Sequence, residues 1–366
     1  MGFKTIPENL RLSDFEAIDG FPEGFKELDS TGWDSAKRFN LDSDLPQYVN
    51  RGTVGVWEDK SGQFTLRKTE KRNVRSQVDE KDFEDFSELE KAFMFGEIGI
   101  SPKVHSYEEN ERGVKRDFLM EFLEDYTNFE DKCFDSVNQM EPYAEATGYV
   151  MGVLNELEMV HGDIISSRTP SYSQEEDEFT NTPVINNLLV GGRSEDVKLI
   201  DPEVARFSKK GETHRWDRAS SSYDMVEERS SNPDAEAGNV WTGLVSEALA
   251  STQLGSLVDE EEITYFVEDE NGIERRKTDF LRYLEERTDE AFYEFDEGLP
   301  SFEFTEENVG KYFGDEETAN FAVEVNNITE NYVQGFKDGK ESVSDIEWPE
   351  RNSNVEEYLQ EVRESL

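Results

Sequence analysis

The amino-acid sequence predicts an α+β fold in two lobes, with a strand-rich first part and a helix-rich second part. Short apolar runs separated by turn signals fill most of residues 45–123. From residue 124 onward, apolar residues recur mainly at helical spacing. Because two such parts would each pack around a core of their own, we expect a cleft between them, which is where ligands often bind.

The strand-rich part is predicted over residues 45–123, after a lead-in at 1–44. The lead-in has no sustained apolar period, so we expect loosely structured chain with short helical pieces there. Turn signals such as Ser61-Gly62 separate the apolar runs that follow. The predicted elements are two strands within Leu45–Lys68, a helix over Asp79–Phe95, and strands over Val104–Tyr107 and Lys115–Phe122.

The helix-rich part is predicted over residues 124–300 and contains an amphipathic helix at Pro142–Met159. Two short apolar runs on either side of Gly191-Gly192 predict a hairpin of strands. We expect an exposed insertion at 166–183, which is rich in Ser, Thr, Glu and Asp, and an acidic helical extension at 301–366. The later predicted helices are Val240–Leu254, Lys277–Phe295, Glu306–Phe313, Glu317–Lys337 and Asn354–Leu366.

The chain of 366 residues carries 85 acidic and 38 basic side chains, which gives a formal charge of −47. An acidic disordered tail, a nucleic-acid mimic and adaptation to molar salt would each produce such a charge. We favour salt adaptation, because the carboxylates are spread along the chain and aromatic residues reach 12%. In 1 M salt the Debye length is only about 3 Å, so repulsion between surface carboxylates is screened. This predicts a cytoplasmic protein of a salt-accumulating microbe, such as a halophilic archaeon, or of its virus.

The composition argues against several classes of partner. Nucleic-acid binding needs a basic face, and a membrane span needs roughly 18 apolar residues in a row, and we find neither signal. Met1–Leu12 is polar and interrupted by Pro7, so we expect no secretory signal there. The single Cys133 excludes an intramolecular disulfide and a Cys-based zinc site.

Three motifs in the helix-rich part place oxygen-bearing side chains at the ends of predicted elements. Asp163 follows the amphipathic helix, Asn187 opens the first hairpin strand, and Asp201 closes the second. We expect these side chains to converge at one end of the hairpin. Phosphoryl transfer needs such a set, because one carboxylate orients the attacking hydroxyl while a second carboxylate and an amide hold Mg²⁺ on the nucleotide phosphates.

These motifs resemble those of the protein-kinase-like superfamily, and those of its aminoglycoside phosphotransferases and other atypical kinases in particular. The shared features are a His-Gly-Asp loop and an Ile-Asp metal motif, which occur here as His161–Asp163 and Ile200-Asp201. The resemblance spans residues 45–255. It implies a two-lobed protein-kinase-like fold that binds ATP and Mg²⁺, with Asp163 as the catalytic base and Asn187 and Asp201 as metal ligands.

The strand-rich part contains further groups that the resemblance implies for nucleotide binding. Lys68 ends an apolar run and would bind the α- and β-phosphates. Its carboxylate partner is expected on the next helix, where Glu90 is preferred and Glu88 is the alternative. Gly52 and Gly55 stand where a glycine-rich phosphate loop would lie, since glycine lets the backbone approach phosphate oxygens closely.

The segment Leu119–Leu123 resembles the hinge that joins the two lobes of a kinase. The resemblance implies that the backbone of Met120, Glu121 and Phe122 hydrogen-bonds adenine. An apolar cleft would then enclose the two faces of the base.

The sequence departs from the family pattern at several positions, two of which bear on the site. The insertion 166–183 lengthens the loop before Asn187, so the adjacent Asn186 is the alternative ligand, although the strand that follows favours Asn187. No Ala-Pro-Glu motif follows Asp201. We therefore predict an ATP-dependent kinase that transfers the γ-phosphate to a hydroxyl of a protein or of a small molecule. The alternatives are a nucleotide-binding pseudokinase without turnover and an interaction protein.

The charge of −47 predicts that folding depends on salt. The free energy of unfolding should rise steeply between roughly 0.1 and 2 M KCl, because the added ions screen repulsion between surface carboxylates. Urea unfolding at a series of KCl concentrations measures this. Equal stability at the two ends of the series would contradict salt adaptation.

Overall fold

The computed structural model of the chain is a mixed α+β structure, and its described part contains one large antiparallel sheet, five smaller sheets and five α-helices. The described residues are 15–19, 26–27, 35–39, 55–59, 64–69, 87–109, 116–123, 126–129, 132, 134, 136–168, 182–191, 195–202, 205–207, 232–251, 264–268, 274–278, 295–296, 299–300, 316–347 and 354–366. Within these ranges no helix is long and apolar enough to cross a bilayer.

The large sheet has the strand order β1-β3-β4-β5-β7-β6-β2, with every neighbouring pair antiparallel. Its strands are β1 Phe15–Asp19, β2 Lys26–Glu27, β3 Ser35–Phe39, β4 Gly55–Asp59, β5 Phe64–Thr69, β6 Val104–Glu109 and β7 Arg116–Glu121. The predicted strand pairs of residues 45–123 are confirmed. The prediction of a lead-in with helical pieces is wrong, because 15–19 and 35–39 pair with each other and 35–39 extends the sheet beside β4.

Helix α1, Glu88–Ile98, is buried on all its faces through Gly96. It begins later than the predicted Asp79 because Ser87 caps it: the Ser87 side chain accepts from the Glu90 N–H, and the Glu90 carboxylate accepts from the Ser87 N–H at 2.6 Å. It ends at Gly99, whose φ of +93° is the left-handed conformation that glycine adopts readily.

The predicted amphipathic helix and the predicted hairpin are both confirmed. Helix α2 spans Glu141–Glu156, after β8 Tyr126–Asn128 and a short 3₁₀ turn at Val137–Gln139. The hairpin consists of β12 Leu188–Gly191 and β13 Val197–Leu199, and β8 pairs with the other edge of β12. The remaining strands here are β9 Met159–Val160, β10 Ile165–Arg168, β11 Thr182–Ile185 and β14 Arg206–Phe207.

The insertion predicted at 166–183 begins and ends in a paired stem. Strands β10 and β11 are antiparallel, with Ile165 opposite Ile185 and Arg168 opposite Thr182. Backbone pairing therefore supplies the hydrogen bonds at the two ends of the insertion. Residues 169–181 lie outside the described part of the chain.

The later part of the chain holds the other helices and two short hairpins. These elements are α3 Pro233–Ser251, β15 Thr264–Glu268, β16 Glu274–Thr278, β17 Phe295–Asp296, β18 Leu299–Pro300, α4 Glu316–Val343 and α5 Val355–Ser365. The predicted helix Lys277–Phe295 is wrong at both ends, which lie in β16 and β17 and pair with neighbouring strands. The predicted helix Glu306–Phe313 lies outside the described residues.

Helices α2 and α4 cross with their backbones in direct contact at two pairs of glycines. Gly148 and Gly152 of α2 face α4, and Gly335 and Gly339 of α4 face α2. A methyl group built on Gly152 would lie 2.0 Å from the Phe336 carbonyl oxygen. Only glycine allows this approach, so a helix of the predicted C-terminal extension shares the core of the other helices.

Replacing Gly152 by Ala tests this close contact. In an ordinary helix the change stabilises by about 1 kcal/mol, because Ala has the higher helix propensity. Here we expect a loss of about 1–3 kcal/mol, because the new methyl group meets the backbone of α4. Urea unfolding measures the difference, and a stabilised Gly152→Ala protein would contradict the packing. Glu145→Ala, at an exposed position of the same helix, should change stability by less than about 0.5 kcal/mol.

Candidate active site

The site centres on Lys68, whose ammonium group contacts carboxylates from two other segments of the chain. Lys68 lies on β5 between β4 and β7, opposite Phe118. Its Nζ lies 2.5 Å from Glu88 Oε1 on α1 and 2.7 Å from Asp201 Oδ1 after β13. The contact with Asp201 is also a well-formed hydrogen bond. One cation therefore joins the large sheet, the first helix and the hairpin.

The electrostatics of the cluster keep Lys68 charged. Burial favours the neutral amine, but the charges of Glu88 and Asp201 outweigh that effect and raise the pKa of Lys68 well above its ordinary value. The Glu88 side chain is only 2% exposed, whereas that of Asp201 is 41% exposed. Asp201 is thus the partner that a ligand can reach from solvent.

The preferred helix partner in the sequence analysis, Glu90, is corrected to the alternative, Glu88. Glu90 is the third residue of α1, and its carboxylate folds back on the N–H of Ser87 in the capping box. Glu88 is the first residue of the helix and reaches Lys68. The sequence could have shown this, because Ser87 followed three residues later by Glu is the pattern of a capping box.

Asp201 is fixed by the strand that precedes it. The Leu199 N–H donates to the Ile100 carbonyl at 2.8 Å, and the Ser101 hydroxyl donates to the Leu199 carbonyl at 2.8 Å. The backbone at Asp201 has a φ of +60°, in the left-handed region. Non-glycine residues there are uncommon, and they concentrate where surrounding structure holds a functional side chain in place.

Asp163 and Asn187 contact each other directly. The Asn187 Nδ2 group donates to the Asp163 carboxylate at 3.0 Å and to its backbone carbonyl at 2.8 Å. Asn187 also has a left-handed φ, of +56°, and its backbone carbonyl accepts from the Ile200 N–H. The adjacent Asn186, the alternative ligand, donates its N–H to the Ile164 carbonyl. Asn187 therefore contacts Asp163 although the insertion separates the two residues in the sequence.

His161 connects the Asp163 loop to the Asp201 loop. Its side chain is fully buried, and Nε2 lies 2.9 Å from the Ile200 carbonyl oxygen. A carbonyl oxygen only accepts, so Nε2 carries the proton and donates. Burial lowers the pKa of His161 below its ordinary value, which favours the neutral ring. The neutral His161 ring therefore links the loop that carries Asp163 to the residue before Asp201 by a hydrogen bond.

The sequence analysis missed Glu236, which holds the backbone of the same loop. Its carboxylate is buried in the first turn of α3 and accepts from the His161 N–H at 2.8 Å and from the Gly162 N–H at 2.7 Å. Hydrogen bonds to a carboxylate are stronger than neutral ones. No local pattern marks Glu236 in a chain with 85 acidic residues, because its partners lie about 75 positions away.

The structure describes only some of the residues predicted for the phosphate loop and the hinge. Gly52 lies outside the described residues, and Gly55 opens β4 opposite Arg67, next to Lys68 on the adjoining strand. Met120 and Glu121 end β7, and the Glu121 N–H donates to the Lys103 carbonyl at 2.7 Å. That N–H is therefore used within the protein, and the prediction that this backbone binds adenine stays a prediction.

Met120 and Phe122 are both buried beside the strand that carries Lys68. Met120 lies opposite Leu66, two positions before Lys68 on β5.

The oxygen donors around Asp201 fit a cation that also binds phosphate. Mg²⁺ in proteins is usually held by one or two carboxylates together with substrate phosphates. Asp201 supplies a part-exposed carboxylate, and the Asn187 side chain, whose nitrogen faces Asp163, retains its oxygen as a donor to metal. Within the described part of the chain, no three His, Cys, Asp or Glu side chains form a metal site by themselves.

No protein-family model matches the chain, and no curated protein matches it. Among solved structures, the chain is similar to the kinase PK-1 of the Cydia pomonella granulovirus, with 13% identity and a TM-score of 0.34 over 69% of this chain and 73% of that chain. A TM-score of 0.34 is too low to establish a common fold.

The contrast between Glu88 and Glu90 gives a test that needs no ligand. Glu88→Gln removes one of the charges that raise the pKa of Lys68, so more of its amine is neutral and reactive. We expect several-fold faster acylation of Lys68, since each unit of pKa corresponds to about a tenfold change. Glu90→Gln should leave the rate unchanged, because Gln also completes a capping box. Mass spectrometry of the Lys68 peptide measures both rates. A larger effect of Glu90→Gln than of Glu88→Gln would show that Glu90 is the carboxylate partner of Lys68.

Proposed function

We propose that the protein is an ATP-dependent phosphotransferase, a kinase that moves the γ-phosphate to a hydroxyl of a protein or a small molecule. The observation that carries the proposal is the contact of Lys68 with both Glu88 and Asp201, beside the hydrogen-bonded pair Asp163 and Asn187. A fixed cation, an exposed carboxylate and a second oriented carboxylate are what phosphoryl transfer requires of a protein.

Lys68 is proposed to neutralise the phosphates of the nucleotide. Glu88 is buried and holds the ammonium from the side of α1, so Lys68 keeps one partner whatever Asp201 does. Asp201 is the more exposed partner and can turn toward a ligand. A cation already positioned in this way stabilises the charge that develops on the phosphates without reorganising during the reaction.

Asp163 is proposed to accept the proton of the attacking hydroxyl. Asn187 holds its carboxylate, while Glu236 and His161 hold the backbone of its loop. A positioned general base contributes about 10²–10⁴ to a rate. Its orientation is therefore set before any acceptor arrives.

Asp201 and Asn187 are the residues that would hold Mg²⁺, with the oxygen donors described above. A bound Mg²⁺ would supply positive charge to the bridging phosphate oxygens. The protein's own part is to present these two side chains next to each other, which it does through the hydrogen bond between the Ile200 N–H and the Asn187 carbonyl.

The same proposal extends to the architecture. The large sheet with α1 would form one lobe of a protein-kinase-like fold, and α2, α3, α4 and the hairpins would form the other. Support comes from the position of the cluster, which joins β5 and α1 to the loops that follow β9 and β13. A nucleotide would then lie between the sheet and the hairpin.

Three variants separate the proposed roles. Asp201→Asn and Lys68→Ala should both weaken Mg·ATP binding and abolish turnover, because each touches the nucleotide side of the site. Asp163→Asn should retain Mg·ATP binding and lose about 10²–10⁴ in rate, the range of a general base. Calorimetry in molar KCl measures binding, and ATP hydrolysis or autophosphorylation measures turnover. Asp338→Asn, on the exposed face of α4, is the matched control and should change neither.

The possible outcomes also decide between the rival functions. Absence of Mg·ATP binding by the wild-type protein in molar KCl would refute the kinase proposal. Binding without any turnover would favour the pseudokinase. Equal turnover by Asp163→Asn and the wild type would refute the role of Asp163 alone.

A further inference from the structure

Helix α5, at the C-terminal end of the described chain, packs against α1, the helix that carries Glu88. We propose that α5 is a positioning element of the active site, in which Arg363 and Tyr358 hold α1 so that Glu88 reaches Lys68. This inference rests on the proposed function. It adds that a helix near residue 366 sets the position of a residue in the nucleotide site.

The polar contact between the two helices is a fork of two hydrogen bonds. Arg363 donates from Nε to Glu97 Oε2 at 3.0 Å and from Nη2 to Glu97 Oε1 at 3.1 Å. The same guanidinium lies 5.4 Å from the centre of the Phe93 ring. Arginine fits both partners with one planar group, which a lysine ammonium cannot do. One residue of α5 therefore fixes two positions of α1 that lie one turn apart.

The apolar face of α5 completes the interface. Tyr358, Leu359 and Val362 are buried, while Glu357 and Gln360 on the other face are exposed. The Tyr358 hydroxyl lies 3.6 Å from the Met94 sulfur and donates to it. An isolated helix of 11 residues is marginal in water, so packing against α1 stabilises α5 as a helix.

The position of α1 decides whether Glu88 meets Lys68. Glu88 is the first residue of α1 and Glu97 is near its end, a distance of about 14 Å along a rigid helix. The C-terminal end of α1 is tied to the hairpin, since Gly99 accepts from Lys198 and Ile100 accepts from Leu199. Contacts with α5 at Phe93, Met94 and Glu97 set the direction in which the Glu88 end points.

Loss of the Arg363 fork would leave α1 held at the hairpin end and by its buried contacts, but with less restraint on its tilt. A small tilt about that end moves the Glu88 end furthest, and the contact of 2.5 Å with Lys68 tolerates little movement. Lys68 would then keep only Asp201, which is also the ligand-facing partner. The nucleotide site would lose its fixed cation even though no residue of the site had changed.

The test measures Lys68 directly and Mg·ATP binding separately, in the full-length protein. Lys68 acylation by an amine-reactive ester is followed by mass spectrometry in Arg363→Ala, with Glu88→Gln as the upper limit of the effect. In Arg363→Ala we expect acylation of Lys68 to be at least threefold faster, and Mg·ATP binding at least threefold weaker, than in the wild-type protein. Arg363→Lys should recover part of both effects, and the exchanged pair Arg363→Glu with Glu97→Arg should recover most of them. Gln360→Ala, on the exposed face of α5, is the matched control.

Each outcome distinguishes this inference from the proposed function. Unchanged acylation in Arg363→Ala, with hydrogen exchange showing that α5 has been released, would overturn the inference and leave the kinase proposal standing. Faster acylation in a protein that never binds Mg·ATP would support the coupling and refute the kinase proposal. If Arg363→Ala fails to fold, the acylation rate of Lys68 is measured in Arg363→Lys instead. An unchanged rate in Arg363→Lys, with α5 released, would overturn the inference.

Discussion

The ion contacts of Lys68 are the constraint on which the rest of the site depends. The ammonium group lies between a buried carboxylate on α1 and a part-exposed carboxylate after β13. Removing the cation would take the charge of Lys68 away from the buried Glu88 carboxylate, and breaking a buried ion pair in this way is strongly destabilising. With it, the sheet, the first helix and the hairpin are held in one arrangement. The chemistry proposed for the site follows from that arrangement, because the exposed carboxylate is the one available to a ligand.

A second network holds the loop that carries Asp163, and it works mainly through the backbone. Glu236 accepts two N–H groups of the loop, and His161 donates to the carbonyl that precedes Asp201. Asn187 and Asp201 keep left-handed backbone conformations. Such conformations persist only when surrounding contacts over-determine them. At Asn187 the hydrogen bonds to Asp163 and Ile200 are such contacts, and next to Asp201 the His161 ring binds the Ile200 carbonyl.

The C-terminal helices are integral to this arrangement, although the sequence suggested an acidic extension. Two pairs of glycines bring α4 against α2, and Tyr332 of α4 donates to the Ala237 carbonyl on α3, one residue after Glu236. Helix α5 packs against α1 through Tyr358 and Arg363. The same packing links the end of the chain to the helix that carries Glu88.

The sequence by itself determined the features that depend on local pattern. The period of α2, the hairpin of β12 and β13, and the order of Asp163, Asn187 and Asp201 are all readable within short windows, and the structure brings Asp163 next to Asn187 and Lys68 next to Asp201. The motifs were visible because each side chain sits at the end of an element that its own neighbours specify.

Only the tertiary structure decided which distant groups meet. Strand β3 forms because β4 offers it an edge, and β1 in turn pairs with β3. Glu236 matters because α3 begins beside a loop about 75 positions away in the chain. The choice of Glu88 over Glu90 is an exception, because the capping box that occupies Glu90 is a local pattern of the sequence. The glycines of α4 and Arg363 of α5 carry no local signal, since their roles depend on a partner helix far away in the chain. Local propensity fixes the elements, whereas contact between distant side chains fixes the site.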